Sequence, residues 1–241
     1  MQGLKIVLIG YGKMGHVIEE IAQARGHQIV LTIDRGEEAR FDDPRFTSAD
    51  VAIEFTAPGM AFDNCLRAIE RGIPVVSGTT GWTDRQPELR ARCEAGEGTV
   101  FWSSNFSIGV NLFLQINRRV AALMQAAPNY HLSLDETHHI HKLDAPSGTA
   151  ITLAEDIIRR VDRKTRWVKG EAAATDELGV RSVRQGEVPG IHEVIYDSTA
   201  DTIRITHEAK NRDGFALGAL LAAEFIRGRK GVFGMKDLMG L

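Results

Sequence analysis

The feature that most constrains the fold is a glycine-rich turn placed directly after the first apolar run. Residues 5–9 read KIVLI, and residues 10–15 then read GYGKMG, which matches the pattern G-x-G-x-x-G. Residues 14–24 follow with apolar side chains at helical spacing. A strand, a glycine turn and a helix in this order are typical of a dinucleotide-binding fold. The glycines let the backbone approach a diphosphate at the helix N-terminus.

Strands and helices continue to alternate over the first hundred residues. The pattern predicts further strands at 28–33, 51–55, 73–76 and 99–102, with helices at 62–69 and 84–93. Strands that alternate with helices favour right-handed crossovers and a parallel sheet covered on both faces. We therefore expect this part of the chain to be an α/β domain of the Rossmann type.

The pattern changes near residue 107. A long amphipathic helix is predicted at 110–127, followed by a strand at 130–134 and a helix at 148–161. Apolar runs separated only by turns then favour an antiparallel meander, with strands at 180–188, 191–196 and 202–207. The predicted fold class is thus α/β, with a Rossmann-type parallel sheet and a smaller α+β domain that has a mostly antiparallel sheet. Residues 215–227 return to helix.

Charge and composition exclude several classes of partner. The net charge is −3 and the sequence pI is about 6.2, which gives no basic footprint for nucleic acid or an anionic membrane. No apolar run approaches the roughly 18 residues that span a bilayer, and no secretory or transit segment opens the chain. We expect a cytoplasmic protein, in which Cys65 and Cys93 are incidental reduced thiols.

An acidic residue at the end of the second strand bears on the choice of cofactor. Asp34 lies where a carboxylate can accept a hydrogen bond from a ribose 2′-OH. The adjacent Arg35 could instead pair with a 2′-phosphate. Having both predicts that NADH and NADPH are each accepted, with NADH favoured. The segments after the third, fourth and fifth strands begin at Phe55, Gly78 and Ser103, and they are expected at the ligand-binding edge of the sheet.

Residues 137–150 are the most unusual part of the sequence. His138, His139 and His141 lie beside Lys142, and Ser147 then fits the N-cap of a helix. A histidine can supply a proton near neutral pH, while a lysine and the N–H groups of a helix start suit a small dicarboxylate. We interpret the segment as a catalytic, anion-binding loop.

Two alternatives to this interpretation stay open. Asp135 and Glu136 could join the histidines around a metal ion, although the spacing matches no standard zinc motif such as H-E-x-x-H, and no metal is predicted. The segment could also be an ordinary solvated loop. Two other classes of function remain as well: a different two-domain Rossmann dehydrogenase, and a non-catalytic NAD(H)-sensing module.

The run from Glu136 to Ala150, ETHHIHKLDAPSGTA, resembles the signature of the 4-hydroxy-tetrahydrodipicolinate (dihydrodipicolinate) reductase family. Residues 10–15, 34–35, 78–81 and 105–111 resemble further parts of that family, so the resemblance covers essentially the whole chain. It implies NAD(P)H-dependent reduction of 4-hydroxy-tetrahydrodipicolinate to tetrahydrodipicolinate, in the biosynthesis of lysine and diaminopimelate. It also implies a homotetramer. The short link between residues 35 and 50 departs from the expected pattern and leaves little room for a crossover helix.

The resemblance also implies domains and residue roles. A dinucleotide-binding domain would comprise residues 1–106 and 212–241, and residues 107–211 would form the substrate-binding and oligomerisation domain. His138 resembles the family's proton donor, and Lys142 its second proton donor. The implied substrate contacts are His139, Gly148 and Thr149. The implied cofactor contacts are Gly10, Tyr11, Gly12, Lys13, Met14, Gly15, Asp34, Arg35, Gly78, Thr79, Thr80, Ser103, Ser104, Asn105 and Phe106.

Overall fold

The computed structural model describes residues 3–240, without the side chain of Thr83. Met1, Gln2 and Leu241 belong to the predicted domain ranges but lie outside the described residues. The chain forms two compact units, residues 1–108 with 212–241, and residues 109–211. Within the described residues, no helix has both the length and the apolar character that crossing a membrane requires.

The elements alternate through the first unit. In chain order they are β1 (Lys5–Ile9), α1 (Lys13–Ala24), β2 (Gln28–Ile33), α2 (Pro44–Thr47), β3 (Val51–Glu54), α3 (Pro58–Glu70), β4 (Val75–Ser77), α4 (Gln86–Glu94) and β5 (Thr99–Trp102). The chain continues with α5 (Ile108–Met124), β6 (His131–His138), α6 (Gly148–Ile158), β7 (Arg166–Lys169), β8 (Glu177–Arg184), β9 (Gly190–Asp197) and β10 (Thr202–Ala209). It ends with α7 (Asp213–Ile226), β11 (Gly231–Phe233) and α8 (Met235–Met239). The short link after β2 holds only a 3₁₀ turn and the four-residue α2.

The first unit is built on a six-stranded parallel sheet in the order β11-β5-β4-β3-β1-β2. Its central strands are almost entirely buried, as a parallel sheet covered on both faces requires. Helices α3 and α4 contribute to the core on one face, and α1 and α7 to the core on the other. The predicted parallel sheet is confirmed. The sequence pattern did not reveal β11, whose three residues are too few for a periodic signal.

The direction of the connections reverses at β1, because β2 lies on one side of β1 and β3 lies on the other. Open parallel sheets bind ligands outside the carboxyl ends of their strands, at such a switch point. The glycine turn follows β1, and Phe55 follows β3 at the same edge. The topology therefore marks the crevice beside these two segments as the place for a ligand.

The second unit contains a five-stranded mixed sheet in the order β10-β9-β6-β8-β7. The pairs β10–β9 and β9–β6 are antiparallel, whereas β6–β8 and β8–β7 are parallel. The meander expected for the last three long strands is therefore wrong for β8, which pairs with β6 and not with β9. The chain reaches β7 and β8 through α6, and such a crossover suits parallel pairing. Local periodicity reports that a strand exists, but it does not identify the neighbour.

Candidate functional site

The glycine turn of the first unit has the shape that a bound diphosphate needs. Gly10 has a φ of +94°, and a Cβ on it would lie 2.0 Å from the carbonyl oxygen of Phe55. A Cβ on Gly15 would lie 2.6 Å from the carbonyl oxygen of Gly10, so this residue lets α1 pack closely on the turn. A Cβ on Gly12, the N-cap of α1, would have open space around it. The backbone at Gly10 and Gly15 is thus packed too closely for a side chain, whereas at Gly12 it is open for a ligand.

A cavity of about 230 Å³ adjoins this turn at the switch point of the sheet. Asp34 and Arg35, which follow β2, line it together with Gly10 and Gly12. Glu38, which the sequence reasoning did not single out, also lines it and accepts a hydrogen bond from the backbone of Gly36. Backbone hydrogen bonds lower the pKa of the Glu38 carboxyl. The remaining predicted contacts of the turn lie at the start of α1: Tyr11 and Met14 are half-buried, and Lys13 is exposed.

The loops after β4 and β5 lie further along the same edge of the sheet. Thr79 is buried and Thr80 exposed, while a Cβ on Gly78 would lie 2.2 Å from the ring of Phe55. The carbonyl oxygen of Thr79 accepts hydrogen bonds from two indole N–H groups, those of Trp82 and Trp102. Trp82 in the same loop and Trp102 at the end of β5 thus both hold the Thr79 carbonyl in place.

The loop after β5 is an internally bonded turn. Ser103 Oγ donates to the carbonyl oxygen of Asn105 and accepts from its backbone N–H, while Ser104 is exposed. The side chain of Phe106 is 2% exposed and packs in the core beside Phe55 and Phe101. Any contact between Phe106 and a cofactor would therefore come from its backbone.

The histidine–lysine segment of the second unit begins within a strand. The sequence pattern placed the end of this strand at residue 134, but β6 continues to His138. Alternate side chains of β6 are buried, so Glu136 and His138 share a face with Leu132 and Leu134. Polar residues hid the strand because they replace apolar ones on its buried face.

Glu136 is the centre of the polar group around His138. Its side chain is fully buried, and Oε1 accepts hydrogen bonds from the backbone of Ser147 and from Arg184. Its Oε2 lies 3.1 Å from His138 Nδ1, which is ion-pair distance, although the two atoms are not aligned as a hydrogen bond. Burial alone would raise the pKa of Glu136, but its contacts with His138 and Ser147 outweigh burial and hold the pKa well below its usual range.

His192 approaches the same carboxylate from β9. Cross-strand pairing places it opposite Glu136, and its Nε2 lies 3.9 Å from Oε2. Burial first, and the neighbouring His138 second, lower the pKa of His192 to about 3, so its ring is neutral near neutral pH. Ser147 Oγ accepts the backbone N–H of Ala150 and lies 3.1 Å from His192 Nε2, to which its own proton is available.

The other ring nitrogen of His138, Nε2, faces Gly190 at the start of β9. A Cβ on Gly190 would lie only 3.1 Å from it, so the position of the imidazole depends on the missing side chain. Glu136 thus lies against Nδ1, and the absence of a side chain at Gly190 leaves room for Nε2. Nε2 is therefore the ring nitrogen that does not lie against the carboxylate of Glu136.

Lys142 lies in the loop after β6, where its Nζ forms a 2.8 Å ion pair with Asp144. This contact lowers the pKa of the Asp144 carboxyl in spite of some burial. Arg184 holds the loop in place, because its guanidinium donates to the carbonyl oxygens of Lys142 and Asp144 as well as to Glu136.

The predicted substrate contacts surround this loop. His139 is half-buried, with its ring centroid 6.0 Å from that of His141. Gly148 is exposed and Thr149 half-buried in the first turn of α6, which Ser147 caps through Oγ. A Cβ on Gly148 would meet open space. The second unit thus brings His138, Lys142 and the start of α6 into one region, while their roles stay predictions.

The residues of this group could also hold a metal ion. Glu136, His138 and His192 each offer one ligand atom, and these atoms lie within 4.8 Å of one another. Arg184, however, already places a positive charge on the same carboxylate, which disfavours a second cation there. We therefore interpret these residues as a group that positions the His138 ring and not as a metal site.

Three supporting residues, Arg184, Gly190 and His192, were missed by the sequence reasoning. The register of the sheet brings them together, since Arg184 pairs with His138 across β8 and β6, and His192 pairs with Glu136 across β9 and β6. They lie roughly fifty residues away along the chain, so no local motif includes them. Correct strand pairing would have been the signal that found them.

Comparison with known proteins decides the family. Residues 4–106 match the family model "Dihydrodipicolinate reductase, N-terminus", and residues 109–239 match "Dihydrodipicolinate reductase, C-terminus". The chain belongs to the dihydrodipicolinate reductase family. A curated relative from Christiangramia forsetii, named 4-hydroxy-tetrahydrodipicolinate reductase, is 44% identical over 236 residues, which cover 98% of each chain. A relative of the same name from Staphylococcus saprophyticus subsp. saprophyticus is 34% identical over 98% of this chain and 100% of its own length.

Solved structures agree with the fold. A dipicolinate-bound dihydrodipicolinate reductase from Paenisporosarcina sp. TG-14 matches with a TM-score of 0.75 at 20% identity, covering 98% of this chain and 99% of that one. An engineered D-amino acid dehydrogenase bound to NADP⁺ matches less well, with a TM-score of 0.54 at 15% identity and 99% coverage of both chains. The predicted fold class and the predicted membership of the dihydrodipicolinate reductase family are confirmed.

Proposed function

We propose that the chain catalyses the NAD(P)H-dependent reduction of 4-hydroxy-tetrahydrodipicolinate to tetrahydrodipicolinate, a step of lysine and diaminopimelate biosynthesis. The full-length similarity to relatives that carry the name of this activity supports the assignment. The single structural observation that carries it is the arrangement around His138. Its Nδ1 lies against Glu136, and Arg184 links Glu136 to the backbone of Lys142, while Ser147 at the start of α6 donates to the same carboxylate.

The proposal assigns the pyridine nucleotide to the first unit and the substrate to the second. The glycine turn and its adjoining cavity fit the diphosphate and the adenosine of such a cofactor. When bound, the reduced nucleotide supplies a hydride. The first-unit residues that would bind it are those predicted from the sequence, with Phe106 acting through its backbone.

The proposed roles in the second unit follow from local geometry. His138 gives a proton from Nε2 to the substrate ring as negative charge develops there. Lys142 and the first-turn amides of Gly148 and Thr149 hold a carboxylate, since a helix N-terminus and an ammonium group both favour an anion. In the structure Lys142 is paired with Asp144, so an arriving carboxylate replaces that partner.

We further propose that NADH is the preferred cofactor and that NADPH is also accepted. Asp34 can accept a hydrogen bond from a 2′-OH, and the second carboxylate, Glu38, lines the same cavity. Two carboxylates repel a 2′-phosphate, while Arg35 offsets part of that repulsion. Steady-state kinetics with each nucleotide test the preference, and a strong preference for NADPH would refute it.

A homotetramer is also part of the proposal. Strand β10 lies at the edge of the second sheet, it is eight residues long, and its Ile203 is 44% exposed. A long edge strand with exposed apolar side chains is suited to pairing with another chain. Light scattering during size-exclusion chromatography measures the oligomeric state, and a monomer or a dimer at micromolar concentration would contradict the homotetramer.

The decisive experiment couples the protein to a synthase that makes the unstable substrate from aspartate semialdehyde and pyruvate, and follows the loss of NADH absorbance. We expect turnover by the wild-type protein. His138→Ala should lower kcat by about 10²–10⁴, the usual effect of removing a general acid. Absence of turnover in a wild-type protein that binds both ligands would refute the function. Near-normal kcat in His138→Ala would remove this residue from the chemistry.

A further inference from the structure

Glu54, the last residue of β3, is a buried carboxylate that the proposed chemistry does not use. It is fully buried, and in the part of the chain that the structure describes it forms no ion pair. Its partners are the hydroxyl groups of Thr56, Ser77 and Thr79 and one backbone amide. Burying a charge without a protein cation is costly, so its presence calls for a reason.

The direction of the hydrogen bonds shows that every partner donates to Glu54. Thr79 Oγ1 accepts the backbone N–H of Thr56 at 2.8 Å, and its proton is directed to Glu54 Oε1 at 2.7 Å. Thr56 Oγ1 accepts from Asn64 Nδ2 at 3.3 Å, and its proton makes a short contact with the same oxygen. Ser77 Oγ donates to Oε2 at 2.6 Å. The group therefore holds an acceptor-only carboxylate.

The negative charge of Glu54 acts on the neighbouring thiol of Cys65. Burial raises the pKa of the Cys65 thiol well above its ordinary value, and the nearby Glu54 raises it further. An anion in this position disfavours another negative charge and favours a positive one. Among residues 3–240, no lysine, arginine or histidine is paired with Glu54, so no cationic side chain compensates this charge.

Glu54 is bonded directly to the loop predicted to bind the nicotinamide half of the cofactor. Thr79, its partner, belongs to the loop after β4 at the ligand-binding edge of the sheet. Loss of a hydride leaves a positive charge on a nicotinamide ring, whereas the reduced ring is neutral. The two forms of the cofactor thus differ in the charge that a nearby carboxylate distinguishes.

We propose that Glu54 is an electrostatic element of the cofactor site, which stabilises the oxidised, positively charged nucleotide relative to the reduced one. The inference rests on the proposed use of a pyridine nucleotide. It makes hydride donation more favourable and slows release of the oxidised product. The neutral hydrogen-bond partners fix the position of the charge without cancelling it.

The test compares dissociation constants of NAD⁺ and NADH, measured by calorimetry and by NADH fluorescence without substrate. Glu54→Gln removes the charge and keeps the shape, because the amide oxygen can face the two threonines while its NH₂ faces the Ser77 hydroxyl. We expect the dissociation constant of NAD⁺ to rise about tenfold, with that of NADH changing less than about twofold. The control variant Ser77→Ala removes one hydrogen bond but keeps the charge, so it should leave the ratio of the two constants unchanged.

The outcomes separate this inference from the proposed function. A wild-type protein that binds neither nucleotide would refute the function itself. Wild-type binding together with equal weakening of NAD⁺ and NADH in Glu54→Gln would show a merely structural role and overturn the inference. Unchanged binding of both nucleotides would overturn it as well. ADP-ribose, which lacks the nicotinamide, should bind Glu54→Gln as it binds the wild-type protein, and a loss there would place the effect in the adenosine cavity instead.

Discussion

Each unit contains a fully buried glutamate at the end of the strand that bears it or near that end, and the two are stabilised in opposite ways. Glu54 accepts only from neutral hydroxyl and amide donors. Glu136 contacts the guanidinium of Arg184 and the ring of His138 and lies near His192. The carboxylate of Glu54 therefore has no cationic partner, whereas the carboxylate of Glu136 is paired with a cation.

The difference indicates what each carboxylate can do. A carboxylate without a protein cation can act on the charge of a ligand, because its field is not cancelled locally. A carboxylate bonded to an arginine and set against a histidine instead fixes the geometry of side chains that titrate or move protons. Removing the charge of Glu54 should thus change the preference between NAD⁺ and NADH. Removing the charge of Glu136 should lower both the stability of the second unit and kcat.

The largest expected effect is on the second unit. Glu136→Gln removes the partner of Arg184, whose side chain is 20% exposed, and breaking a buried ion pair costs about 3 kcal/mol. Hydrogen exchange of the β6 and β8 amides should rise accordingly, and kcat should fall because the His138 ring loses its support. The matched change Glu54→Gln should leave exchange in β3 and β4 nearly unaltered. Equal losses of protection in both units would abolish the distinction between the two carboxylates.

The second prediction concerns pH. The folded-state pKa of His192 is about 3, below the unfolded value of about 6.5, so the unfolded state binds more protons between these values. The free energy of unfolding should therefore fall as the pH is lowered from about 6.5, by at most about 1.4 kcal/mol per pH unit, or about 2 kcal/mol at pH 5. The depressed pKa of Glu136 adds a further loss only below about pH 4.3.

His192→Asn should flatten this dependence between pH 6.5 and 5, as measured by urea unfolding at a series of pH values. Exchange protection in β6 and β9 should report the same change, with β3 and β4 of the first unit as the internal reference. An unaltered slope in His192→Asn would show that the acid sensitivity of the second unit has another source.

How well the sequence predicted each feature depends on how close together its residues lie along the chain. The glycine turn, the strand before it and the helix after it lie within twenty residues, and the predicted parallel sheet was confirmed. Strand β8 was predicted as a strand but assigned to the wrong neighbour, because periodicity records burial and not pairing. Arg184 could not be placed beside His138 without that pairing.

The same limit of sequence-based prediction applies to the contacts of the two glutamates. Glu136 belongs to a recognisable motif, so the sequence pointed to its surroundings, although its link to Arg184 depends on the register of the sheet. Glu54 lies in an apolar run, VAIEF, where a single acidic residue gives no motif. Its role depends on three hydroxyl groups that meet only when β3 and β4 are side by side.

A third prediction isolates the geometry of His138 from the charge of Glu136. In Gly190→Ala the new Cβ would lie 3.1 Å from His138 Nε2, a contact tight enough to push the ring a few tenths of an ångström. We expect kcat to fall about tenfold, equivalent to about 1.4 kcal/mol, while the dissociation constant of NADH stays unchanged. Glu54→Gln should instead raise the dissociation constant of NAD⁺, which Gly190→Ala should leave unchanged. A change in NADH affinity in Gly190→Ala would mean that the two effects are not separable.

The smallest expected effect tests the third acidic group, the half-exposed Asp144. Asp144→Asn removes the ion-pair partner of Lys142, and exposed pairs contribute at most about 1 kcal/mol. Lys142 then meets an arriving carboxylate without a competitor, so we expect KM for the substrate to fall about twofold, with little change in kcat or in the free energy of unfolding. Comparison with Glu155→Gln, which removes a surface pair to Arg159 on α6, controls for the loss of one negative charge. A higher KM in Asp144→Asn alone would indicate that Asp144 positions Lys142 for the substrate and does not compete with it.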